Sequence, residues 1–346
     1  MRILWTLCVA ACMALSSVGA QAQNKKVTIG GTLSATDIGL WIADKKGFFR
    51  DEGIDADFQV FDSAARMIAA LGAGDLDVAA GGHSAGLFNA AGRGIDVRLV
   101  ADKSRNVVGR SSIKMLVRED LVESGRYKTY ADLKGLKVAE AAPGGSAQPI
   151  LVKFLAAGGL SYDDVEHVYM SFPNMAVALQ NKAIDVAIPA EPSVTQALRM
   201  GGVVAVANDY DVYPVHEVSE IMYSGKFATR DPDLARRFMK AFLRGVRYEN
   251  DSLGPKGEFV GAQGDEVVKI ASEYGPFKDP AVWRSFILSA CDPDGALHVP
   301  SLKEDLDIFR KLGLIESNVA IDKVVDTSFV DAAVKELGPY QKKTAP

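Results

Sequence analysis

Cysteine is nearly absent from this chain of 346 residues, and its three copies are unevenly placed. Cys8 and Cys12 lie in the first apolar run. Cys291 is alone in the remainder, so no intramolecular disulfide can form there and stability has to come from packed cores. Histidine is scarce too, with four scattered copies. H-E-x-x-H is missing, and the D-P-D-G run from Asp292 to Gly295 lacks the rest of a calcium loop and reads as a turn, so the pattern implies no metal and no cofactor. A phosphate loop of the G-x-x-x-x-G-K type is also missing, which argues against nucleotide hydrolysis on this chain. Basic residues are not in excess, with 39 Lys and Arg against 44 Asp and Glu, so the footprint of a nucleic-acid partner is missing. The only strongly apolar run, Ile3 to Leu15, is shorter than the roughly 20 residues that span a bilayer.

That run does have a reading. Arg2 precedes it and the small residues Ala20 and Ala22 follow it, the pattern of a secretory signal over 1–22 with cleavage after Ala22. Removal of Arg2 moves the net charge from −5 to −6 and leaves a chain that is exported and does not span a membrane. Val9, Ala10, Ala11 and Cys12 form a competing lipidation box, although a cut there leaves a very short apolar run before it. Beyond the leader, a length of more than 300 residues exceeds what one hydrophobic core supports, so two domains are expected.

Strand and helix patterns alternate along the chain. Val27–Gly30 reads as a strand, Ile38, Trp41 and Ile42 share a helix face, Ala56–Phe61 alternates as a strand, and Ala64, Met67, Ile68 and Leu71 make the next stripe. The same order returns from Leu136. L-Q-N-K-A-I-D-V-A echoes L-G-A-G-D-L-D-V-A, with Leu179 and Asp185 each 108 residues beyond Leu71 and Asp77. The chain therefore reads as an α/β protein built from two copies of one unit. Ser111–Val117 and Ser219–Gly225 read as strands crossing between the copies, so the lobes are expected at 23–115 plus 220–346 and at 116–219. The ligand then belongs in the cleft between them. The tail is helical: Leu234, Phe238, Ala241 and Phe242 form a stripe expected to pack on the first lobe, and Ser301 with Glu304 suggests a capping box.

With those residues in place, K-K-G-F-F-R-D-E-G-I-D (Lys45–Asp55) resembles solute-binding proteins of the periplasmic nitrate, sulfonate and taurine type. The likeness continues through D-L-K-G-L-K-V-A, the I-D-V-A echo and V-V-D-T-S-F-V-D-A-A-V-K-E-L-G-P-Y, over nearly the whole exported chain. It implies a type II periplasmic-binding fold, in which each lobe is a sheet flanked by helices. It also implies a small organic anion as ligand, such as a sulfonate, a taurine-like compound or an aromatic carboxylate. A periplasmic location is implied, with a separate ABC permease and ATPase as partners. Pyrimidine-precursor synthases related to thiamine biosynthesis share that architecture, but their cysteine-rich iron motif has no counterpart here.

In such a fold the loops after the strands carry Ser34, Thr36 and Asp37, then Ser63, then His83 and Ser84. The second copy offers Gly145 and Ser146, then Asn174, then Glu191. Unpaired N–H groups at helix starts bind sulfonate or carboxylate without Lys or Arg, and glycines let the backbone approach; A-P-G-G-S-A-Q is the best candidate. Each of these serines has the plainer reading of a helix cap. Trp41, one turn into its helix, is placed to cover an organic ligand or else to join the core. Glu191 is placed to pair with an amino group. G-H-S-A-G, Gly82 to Gly86, also fits the nucleophile elbow of a serine hydrolase acting through Ser84, but no oxyanion segment or triad context accompanies it. The residues and the resemblance together favour a binding protein over an enzyme.

Overall fold

The structure, a computed structural model, describes residues 24–342; the expected signal segment and Cys12 lie outside the described residues. The described residues contain ten strands: β1 (Lys25–Gly31), β2 (Ile54–Val60), β3 (Val78–Gly81), β4 (Val97–Val107), β5 (Lys114–Arg118), β6 (Lys137–Glu140), β7 (Glu166–Tyr169), β8 (Val186–Ala187), β9 (Val203–Asn208) and β10 (Val215–Ser224). They form two five-stranded sheets, ordered β2-β1-β3-β10-β4 and β7-β6-β8-β5-β9. In each, three strands run parallel in one copy of the repeat, and one antiparallel strand, β10 or β5, sits beside them. Helices α1 (Ile38–Lys45), α2 (Ala85–Gly92), α3 (Ala147–Ala157), α4 (Phe172–Gln180), α5 (Ser193–Met200), α6 (Pro232–Asp251), α7 (Gly261–Tyr274) and α8 (Val299–Lys311) cover them.

The internal echo has a physical basis. Asp77, just before β3, accepts the backbone N–H of Thr28 on β1 at 3.0 Å, and Asp185, just before β8, accepts that of Lys137 on β6 at 3.0 Å. In both copies one carboxylate ties neighbouring parallel strands at the same point. The apolar residues on either side of each sheet make separate cores. Val27, Ile29, Phe238 and Phe242 belong to the first lobe, and Val138, Ile150, Phe154 and Val186 to the second. As expected, the tail stripe packs on the first lobe. α6 crosses α1 so closely that a Cβ on Gly245 would collide with the carbonyl of Gly39.

The expected boundaries need adjustment. Val215 already pairs with Val107, so β10 begins ahead of the Ser219 at which its pattern becomes readable, and 215–219 lie in the first sheet. β5 likewise begins at Lys114. The two passages between lobes are therefore 108–113 and 209–214. The capping box at Ser301 is also replaced: Pro300 starts α8 earlier, with His298 at the cap, and the Ser301 hydroxyl accepts the backbone N–H of Glu217 at 3.0 Å. No described helix is long and apolar enough to cross a membrane.

Candidate functional site

Loops at the ends of β1, β2 and β3 face loops at the ends of β6 and β8, and the passages floor the space between. The lobes touch across it. Ala85 N–H donates to the Gly144 carbonyl at 2.8 Å, and Ala35 N–H to the Glu191 carbonyl at 3.0 Å. Gly82 is required here, because a Cβ would run into the Ser146 hydroxyl and, at 2.7 Å, the Val218 carbonyl.

The enclosed space has an inner and an outer compartment. The inner one holds about 670 Å³ free of atoms, its mouth included, and no ionisable side chain lines it. Its polar groups are the hydroxyls of Thr32, Ser34, Thr36, Ser63, Ser112, Ser146 and Ser219; its apolar wall comes from alanines with Ile113, Phe172 and Val218. Ser63, Ser112 and Ser219 are buried, at 3%, 1% and 4% exposure, and their Oγ atoms have no hydrogen-bond partner among the described residues. A buried hydroxyl left unmatched costs about 1–3 kcal/mol, so these three hydroxyls have hydrogen-bonding capacity to spare. The cap reading fails for Ser63 and Ser146, since neither side chain makes a cap bond. Ser34 does enter a capping box with Asp37, while its Oγ lies 2.8 Å from that of Thr36 at the cavity wall.

The outer compartment shares Thr32, Ser34, Phe172 and Ala190 with the inner one and adds Asp62 and Glu191. Glu191 is almost fully buried and accepts the Thr195 N–H at 3.0 Å. Burial pushes its carboxyl up to about 7, against the opposing pull of that hydrogen bond.

Five expected contacts lie elsewhere. Trp41 packs edge-on against Trp283, centroids 5.8 Å apart, and stacks on Tyr274 at 6.3 Å, because the α1 face meets α7 and not the cleft. Asp37 turns away to the buried ammonium of Lys103, as an acid must that would otherwise repel an anion. His83 is fully buried behind the wall, between Glu220 and Asp305. Ser84 caps α2, accepting the Leu87 N–H at 3.2 Å, and pairs with Gly145 as a β-bridge rather than lining either compartment. Asn174 is exposed on α4 and lines neither compartment. Conversely, Ser112 and Ser219 went unnoticed. They sit in the crossing runs, and since any crossing segment must floor the cleft, a hydroxyl there is the available signal.

Two sheets joined by two passages over a polar cleft define the fold of two-lobed periplasmic binding proteins. Residues 35–251, more than half of the chain, match the family described as NMT1/THI5 like, and the chain belongs to it. A Bacillus subtilis protein provisionally named as an aliphatic sulfonates-binding protein is 25% identical over 94% of this chain and 93% of its own. Against Brucella abortus proteins provisionally named as binding proteins, identity is 29% over 57% of this chain, and the match spans only 58% of their length. Among solved structures, the periplasmic nitrate-binding protein NrtA of Synechocystis superposes with a TM-score of 0.76 at 15% identity over 90% of this chain and 89% of NrtA. The desulfurization enzyme DSZB superposes at 0.62 and 17% identity over 90% of this chain and 99% of its own, so the fold also carries catalysis.

Proposed function

We propose that this chain is the extracytoplasmic solute-binding component of an ABC importer, capturing a small organic anion between its lobes. The observation that carries this reading is the inner compartment, whose lining includes three buried, unmatched hydroxyls and no ionisable side chain. Hydroxyl donors on an otherwise uncharged wall hold an anion by dipoles alone, whereas a cation would meet no counter-charge there. The apolar wall suits the organic part. The full-length likeness to a protein named for aliphatic sulfonates supports a sulfonate head group. Glu191 at the outer compartment further supports a taurine-like ligand, with sulfonate inward and ammonium against the carboxylate. A separate permease and ATPase carry out transport, and the protein works in the periplasm.

The hydrolase reading loses its chemistry in this geometry. The Ser84 hydroxyl accepts a cap bond, and both ring nitrogens of the adjacent His83 are turned to carboxylates, so His83 does not serve the serine as a base. A thermal-shift panel of ethanesulfonate, taurine, benzoate, nitrate and choline tests the proposal, since a ligand bound only by the folded form raises Tm by mass action. Ethanesulfonate or taurine should give the largest shift; a shift from choline alone would sink the anion reading.

A further inference from the structure

His83 follows the two glycines that line the cleft, yet its ring faces the opposite way and is wholly buried. Its Nδ1 lies 2.8 Å from Glu220 Oε1 and its Nε2 lies 2.9 Å from Asp305 Oδ2, while its backbone N–H donates to Glu220 Oε2 at 2.8 Å. With Glu220 and Asp305 both ionised, their oxygens only accept, so each ring nitrogen brings its own hydrogen, and a ring with both is the imidazolium. Placing the proton on Asp305 instead is unfavourable. That carboxylate already accepts from His216 Nε2 at 2.7 Å and from the Tyr213 hydroxyl at 3.1 Å.

The partners explain what the charge is for. Glu220 is adjacent to Ser219 of the inner compartment, and Tyr213 and His216 flank the end of the second passage, their rings stacked 4.4 Å apart. One buried anion, Asp305 on α8, therefore ties the cleft loop to the hinge. The other ionisable groups around the cluster include Arg105 and Asp102 on β4, Glu217 on β10, Asp209 in the passage, His298 before α8, Glu304 on α8 and Lys153 on α3, whose ammonium lies over the Tyr213 ring at 4.1 Å. Arg105 holds Asp102 at 3.0 Å and reaches Glu217 at 3.7 Å. Burial opposes the charge on His83, but the Glu220 and Asp305 carboxylates override it and push its pKa up to about 10.

We propose that His83, as an imidazolium clamped between Glu220 and Asp305, is the positioning residue of this cleft, fixing the Gly81–Ser84 loop to the hinge so that ligand affinity depends on the His83 proton. The affinity consequence rests on the solute-binding reading, whereas the protonation state does not. Two measurements separate them. In 15N-histidine NMR, with His83→Gln used for assignment, both ring nitrogens of His83 should stay protonated to about pH 9; a bare ring nitrogen at pH 7 overturns the proposal whether or not any ligand binds. Calorimetry with ethanesulfonate, which does not titrate in this range, should show affinity falling about fourfold between pH 7 and pH 10.5, where about a quarter of His83 is still protonated. His83→Gln should bind weakly at both values with no such slope. Equal slopes in the two proteins contradict the proposal. Failure of wild type to bind ethanesulfonate at all counts against the sulfonate reading, and the spectrum then decides the proposal alone. If His83→Gln does not fold, Asp305→Asn supplies the assignment by shifting the same ring.

Discussion

The two walls of the cleft are backed in different ways. Behind the first lobe's loops lie buried ions: Asp37 with Lys103, His83 with Glu220 and Asp305, and Arg105 with Asp102. Behind the second lobe's Ala142–Ser146 loop lie a neutral amide, Gln148, whose Oε1 accepts the Gly144 N–H at 2.6 Å, the apolar residues Ile150, Leu151 and Phe154, and one buried carboxylate, Glu140, which accepts the Tyr162 hydroxyl at 2.8 Å. Neither wall sends a charge into the inner compartment. Ionic groups thus back the first wall while uncharged groups line the cavity, the separation on which the proposed capture of an anion rests. Breaking a buried ion costs much more than breaking a neutral hydrogen bond, so the two walls should respond unequally to mutation.

The largest effect is expected at Asp305. Replacement by alanine strands the buried His83 charge and should lower unfolding free energy by about 3–5 kcal/mol in urea titration. The pH dependence follows from the same pair. Burial disfavours the Asp305 charge, yet His216 and His83 hold its pKa down to about 2, so its contribution is present above the unfolded value of 3.8 and lost as pH falls through about 2. His83 is raised from 6.5 to about 10, so its contribution is complete below 6.5 and lost as pH rises through about 10. Wild-type stability should show both flanks, and the Asp305→Ala profile should lose the acid flank due to this group.

Gly82→Ala comes next. Its methyl would strike the Ser146 hydroxyl across the cleft and the Val218 carbonyl within the first lobe, so ligand affinity should fall roughly a hundredfold, about 2.7 kcal/mol, and the ligand-free Tm should fall with it. On the second wall, Gln148→Ala leaves the Gly144 N–H unmatched and should cost about 1–2 kcal/mol in the same urea experiment, well short of Asp305→Ala. A loss as large at Gln148 would erase the distinction between the walls. Arg199 should matter least. It joins Asp279 across the lobes at 3.4 Å, but both side chains are exposed, and Arg199→Ala should change stability by no more than about 1 kcal/mol.

Much of the frame was legible because its signals are local. Strand-like runs located β1, β2 and the start of the second copy at β6, and the echo of Asp77 in Asp185 exposed the duplication, since a strand-tying carboxylate is needed at the same place in each copy. Loop position alone identified Ser34, Thr36, Ser63, Gly145 and Ser146 as cleft residues. Trp41 was ambiguous for a definite reason. Helical spacing shows that a face is apolar, not whether α7 or a ligand covers it. His83 was beyond sequence reasoning because its partners lie 137 and 222 residues away, and no local pattern reports a contact of that span. Ser112 and Ser219 were hidden by the strand-like runs in which they sit.

The central claim is that uncharged, buried hydroxyls of the inner compartment hold the ligand. Calorimetry on the Ser63→Ala, Ser112→Ala, Ser219→Ala triple variant tests it most directly, using whichever of ethanesulfonate and taurine shifts wild type more. Each lost hydrogen bond to an anion is worth about 1.5 kcal/mol or more, so affinity should drop by at least about a thousandfold while the ligand-free protein keeps or gains stability. Retention of wild-type affinity by the triple variant would contradict the account.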